Sequence, residues 1–161
     1  MIGHQLVLYE EDQRKISEAC ARLAREANAR MVFIVDRAGQ LISQQGDVGD
    51  IDTTAMASLA AGNIAATGGL AHLLGEKEFP HLFHEGEHES IHLSLLGDKW
   101  ILVVIFDERS SLGLVRLRVR KFGDVLAEVA KEVTEREPDD SMTSPFADIT
   151  DEDIDNLFAD L

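Results

Sequence analysis

Leu112, Val115, Val119, Phe122, Leu126, Val129 and Val133 recur in unbroken steps of three and four. That spacing lines seven large apolar side chains along one stripe of an α-helix. Such a stripe needs an apolar surface of matching length, which the rest of the chain must supply. Ser110 or Ser111 stands where the cap of this helix belongs.

The upstream sequence supplies that surface as strands. Ile16, Ala19, Cys20, Leu23, Ala24 and Ala27 mark the apolar face of a first helix. Met31–Val35 follows as a continuous apolar run, read as a central strand. Asp36 to Gly39 has turn chemistry, with Gly39 free to take positive φ, so Leu41–Ser43 should return as a hairpin. Gly46–Asp50 reads as a loop. Asp52, Thr53 or Thr54 can cap a middle helix that reaches about Leu74 and ends at Gly75. Three strands are then expected over Phe79–His84, Ile91–Leu96 and Trp100–Phe106, the last two joined by a turn at Gly97 and Asp98. Ile91, Leu93 and Leu95 alternate with His92 and Ser94, the pattern of a half-exposed strand.

The order helix, two strands, helix, three strands, helix predicts an α+β layer structure. Its five-stranded sheet should be largely antiparallel, with helices on its faces. One domain spans 1–137. After Pro138 the composition becomes that of a flexible linker, 138–149, and 150–161 reads as a short acidic amphipathic helix.

The formal net charge of −15 argues against nucleic acid or an anionic membrane as partner. Trp100–Phe106, the longest apolar run, falls far short of the roughly 20 residues of a membrane span. With no basic leader and a single cysteine, Cys20, the expected setting is cytoplasmic. Cys20 itself is expected to be buried and inert. GxxxxGK[ST], GxSxG, CxxC and HExxH are all missing, so neither a catalytic site nor a cofactor is expected. His81, His84, His88 and His92 would face one way on a continuous helix and could then hold zinc. Pro80 and Gly86 rule against that helix, leaving solvated strand and loop histidines and no metal site.

Three segments read as recognition surfaces. On the middle helix, Ser58, Ala61, Gly62, Ala65, Gly68, Gly69 and His72 share a stripe. Each interior glycine costs a helix about 0.5–1 kcal/mol relative to alanine, so close approach of another backbone is the expected compensation. That backbone could belong to the chain's own sheet, a second copy or a partner. Arg109, Arg116, Arg118, Arg120 and Lys121 form a basic cluster at the start of the last helix, which Lys15 and Arg14 could join. It is either a solvated face or a partner site; Arg109 is the residue best placed for an arginine finger. In the tail, Ile154, Leu157, Phe158 and Leu161 form an apolar stripe suited to a partner's groove, or to nothing.

Val32–Asp36, Gly39–Ser43, Ile51–Thr54, Ala61–Asn63, Gly68–Leu70, Phe83–Gly86, Val103–Asp107, Ser111–Arg118, Gln5–Glu11 and Asp153–Phe158 together resemble the roadblock (dynein-light-chain-like) family in its bacterial form. The resemblance implies a homodimer, two protomers of which dock on one small Ras-like GTPase and stimulate its GTP hydrolysis. They would reposition the GTPase's own switch regions without donating an arginine. It also implies a setting in bacterial polarity and motility, at a cell pole. A non-stimulating roadblock scaffold or adaptor is the alternative. Carried over by position, the GTPase platform falls on Ala61, Ala65, Gly68, Gly69 and His72. The tail contact falls on Ile154, Leu157, Phe158 and Leu161. Lys15, Arg116, Arg120 and Lys121 are left for a second partner, another roadblock protein.

Overall fold

Strand β5 (Trp100–Phe106) is buried along its whole length and occupies the middle of a five-stranded sheet. The structure is a computed structural model that describes residues 7–136. In chain order the other elements are α1 (Glu10–Glu26), β1 (Met31–Asp36), β2 (Leu41–Gly46), α2 (Thr53–Leu73), β3 (His81–Glu85), β4 (Ser90–Leu96) and α3 (Leu112–Glu135). The strand order is β2-β1-β5-β4-β3 and every pairing is antiparallel. The linker at 138–149 and the tail helix at 150–161 lie outside the described residues.

Alternation along the strands sorts the core into two. Val32, Ile34, Leu102, Val104 and Phe106 face α1 and α3. Met31, Phe33, Val35, Val103 and Ile105 face α2. The α3 stripe expected from its spacing is the buried one, from Val115 through Val133. At about 25 cal/mol per Å² of apolar surface removed from water, this is the principal stabilising contribution of the helix. Cys20 lies wholly buried on α1, where desolvation pushes its thiol up to about 12.

Local signals set the boundaries. Asp52 accepts a hydrogen bond from the Ala55 amide at 3.1 Å and starts α2, while Ser111 does the same for the Leu114 amide at 3.2 Å and starts α3. Asn28, at φ 49°, turns the chain after α1; asparagine tolerates this region better than most residues. Gly46, at φ 102°, is held against the Arg30 carbonyl so closely that no β-carbon fits. At the N-terminus of α1 the Asp12 carboxylate accepts from the Tyr9 amide at 3.1 Å and from Arg136 Nη1 at 2.6 Å. The Arg136 hydrogen bond, more than the Tyr9 amide, holds Asp12 below the usual carboxylate range.

Strand β4 departs from the expected half exposure. Ser94 and His92 are 2% and 1% exposed, because α3 covers the face that alternation alone assigned to solvent. Among the described residues no helix is long and apolar enough to cross a membrane.

Candidate interaction surface

Helix α2 contains no Asp, Glu, Lys or Arg in its 21 residues. A helix that is apolar all round is normally buried all round. Here only one side is covered: Ala57, Ala60, Ala61, Ile64 and Ala71 meet the sheet. On the opposite side Leu59, Leu70, Leu73 and Leu74 stand 73%, 59%, 81% and 73% exposed. Full burial of each would stabilise a complex by roughly 1.5–3 kcal/mol before association costs.

Gly62 and Gly69 belong to this outward arc, while Gly68, between Ile64 and Ala71, lies at its border with the covered side. A β-carbon built on Gly62, Gly68 or Gly69 meets nothing within 4 Å. Among the described residues, packing on the chain's own sheet therefore does not account for these glycines. Ala65, Gly69 and His72 are exposed and Gly68 is partly so. Ala61 is corrected: it is 7% exposed and packs into the α2 side of the core, so its side chain is not on the platform. The four leucines escaped the spacing argument because it sought small residues. The signal available was the missing charge on α2.

Beside this surface the sheet ends at β3, whose outer edge has no partner strand among the described residues. Asn63 of α2 reaches His84 of β3, Nδ2 to Nε2 at 3.1 Å, joining helix face and strand edge into one continuous area. The histidines do not gather. His84 faces α2, whereas the His81 and His92 rings lie 5.7 Å apart on the α3 side. His92 is a correction to solvated status: both ring nitrogens are buried without a partner among the described residues. Burial first, then the charges of His81 and Arg116, lowers its pKa to about 4.

The basic residues are divided. Glu26 on α1 holds Lys121 at 2.8 Å and Arg118 at 3.6 Å. Lys121 is thereby the main cause of the low pKa of Glu26. Arg109 is clamped by both oxygens of Asp107, at 3.0 and 3.2 Å from its Nε, within its own loop. Pairing of Glu26 with Lys121 and of Asp12 with Arg136 sets α1 antiparallel to α3. Lys15 therefore sits toward the far end of α3, on the order of 15–20 Å from Lys121 at 1.5 Å per residue. It pairs with Glu11 at 3.8 Å and does not join the cluster. Arg116 and Arg120 do come together, along a groove beside β4.

The sheet order and the arrangement of helices now meet a family-level match: the Roadblock/LC7 domain model aligns with residues 15–106. The chain belongs to the Roadblock/LC7 family. Among solved roadblock structures, Myxococcus xanthus MglB is 52% identical, with a TM-score of 0.76, over 83% of this chain and 100% of that one. The gliding protein MglB of Thermus thermophilus is 34% identical over 80% of this chain and 97% of its own, with a TM-score of 0.75. A further structure, MglB with a tetrameric arrangement, is 33% identical over the same shares, also at a TM-score of 0.75. No curated protein sequence gives a significant match.

Proposed function

We propose that this roadblock protein is a homodimeric activator of a small Ras-like GTPase of the MglA type, working in bacterial cell polarity and motility. The observation that carries the reading is the uncharged α2, with its exposed leucines and its glycines that face open space. Two copies placed with their α2 helices side by side, the β3 edges adjoining, would cover part of the leucines. They would leave the small-residue stripe, Ala65, Gly68, Gly69 and His72, as a doubled platform for one GTPase. The tetrameric arrangement of a solved MglB is consistent with self-association in the family.

The hydrolytic chemistry belongs to the partner in this reading. Repositioning the GTPase's switch regions stabilises its transition state through groups it already has. Arg109 has no assigned part in this reading; its exposed guanidinium pairs with Asp107 within its own loop. The test is GTP turnover by the MglA of the same genome, with and without this protein. Stimulation is expected, abolished together with complex formation by Gly68→Arg and largely kept in Arg109→Ala. Binding with unchanged turnover would make the protein an adaptor. Retained binding by Gly68→Arg would remove the platform assignment. Deleting 150–161 is expected to weaken the complex or alter nucleotide exchange.

A further inference from the structure

A groove of about 440 Å³ runs between the first half of α3 and the β3–β4 edge of the sheet, on the face opposite α2. Arg116 and Arg120 flank it, four residues apart and so on one side of the helix. Neither has a carboxylate partner among the described residues, whereas their neighbours Arg118 and Lys121 share Glu26. His81 adds a third basic group and Asp124 the one acid of the lining. On the floor lies Ser94, 2% exposed, whose hydroxyl has no hydrogen-bond partner among the described residues. Gly123, in the interior of α3, also lines the groove, and a β-carbon there meets nothing within 4 Å. Helix propensity disfavours that glycine and internal packing does not require it. It leaves space for something that lies along the helix.

We propose that this groove is the docking site of the chain's own C-terminal segment, residues 150–161. The complementarity is direct. The segment carries Asp151, Glu152, Asp153, Asp155 and Asp160 with no lysine or arginine, and Ile154, Leu157 and Phe158 between them. Its carboxylates would pair with Arg116 and Arg120. Its apolar residues would lie against Gly123 and the exposed Leu117. The reach suffices. From Arg136 the segment must return along roughly 16–20 residues of α3, about 24–30 Å at 1.5 Å per residue. The intervening 137–149 can span about 43–47 Å when extended. Docking here leaves the α2 platform uncovered and does not depend on the GTPase reading. It would withhold the tail from any other contact until a competitor displaces it.

The experiment uses the full chain with Ala159→Cys carrying a nitroxide; Cys20, buried and protonated, stays unlabelled. Paramagnetic broadening of backbone amides is read in the absence of any GTPase. Broadening is expected at Ser94, Leu95, Arg120 and Gly123, weakened at high salt. It should be lost in Arg116→Glu/Arg120→Glu and in Gly123→Leu. The second variant fills the groove with a residue that favours helix, so the loss cannot be ascribed to unfolding. Broadening centred on α2, none at the groove, or a pattern unchanged in both variants overturns the proposal. The first of these would place the tail on the platform; the second would leave the groove to a separate acidic partner.

Discussion

His92 illustrates how a single side chain can work against the fold that holds it. Its imidazole is enclosed between β4 and α3, with no partner for either nitrogen among the described residues. Because burial depresses its pKa to about 4 from 6.5, the unfolded chain takes up a proton on acidification before the folded one does. The contribution to stability is thus fully present above pH 6.5 and is lost as pH falls toward 4. At 1.36 kcal/mol per pKa unit, the loss is on the order of 2–4 kcal/mol. His92→Leu is expected to flatten the unfolding free energy between those pH values and to make the protein more stable than wild type at pH 5. Urea melts at pH 7 and pH 5 check this, and equal slopes in the two proteins would count against it. Asp12 behaves in the opposite structural sense, being a buried acid that is fully partnered. Its replacement by Ala should lower stability in the same melts, since the Tyr9 amide loses its acceptor at the start of α1 and Arg136 loses its partner.

Among the elements, α1 and α3 obey the amphipathic rule and α2 does not. In α1 and α3 most charged residues lie outside the apolar stripe, and those at its margins pair from helix to helix, Glu26 with Lys121 and the buried Asp12 with Arg136. In α2 there is nothing charged to oppose, and the side away from the sheet is leucine and glycine. This gives a substitution whose two effects have opposite signs. Gly69→Ala should raise the unfolding free energy by about 0.5–1 kcal/mol, since the new methyl meets open space and alanine favours helix. On the proposed reading it should also weaken binding to the GTPase, because the approach of the partner is narrowed. A thermal melt and a titration with the GTPase read the two effects separately. Loss of stability in the melt would mean that the glycine serves the protomer after all.

Among the described residues, the exposed α2 leucines and the unpaired edge of β3 form one contiguous area, while the basic groove occupies the other face of the sheet. Two interactions could then proceed without competing for surface. On the proposed α2-to-α2 dimer, Leu70→Asp/Leu73→Asp is expected to reduce the mass in solution to a single chain's, with helix content unchanged. Light scattering and circular dichroism measure both. A dimer that survives these changes would move the self-association away from α2.

Much of this architecture was legible because it follows from local rules. The seven-residue stripe of α3, the caps at Asp52 and Ser111, the turn at Gly39 and the apolar runs of β1 and β5 each carry their own signal. Where spatial neighbours decide, the sequence fell short. It placed Ala61 on the outer stripe, though that position faces the sheet. It assigned His92 and Ser94 to solvent, because period-two alternation cannot reveal that α3 will lie across the polar side of β4. It grouped Lys15 with Arg116, though antiparallel helices hold them at opposite ends. It passed over Leu59, Leu70, Leu73 and Leu74, whose apolarity looks the same whether a core or a partner is to cover them. The chain alone determined the elements and their order, since periodicity, capping and turn chemistry are properties of neighbours in sequence; the family came from resemblance of whole stretches. Only the tertiary structure decided which apolar residues are covered and which arginines are paired among the described residues, because burial and ion pairing depend on what arrives from far along the chain.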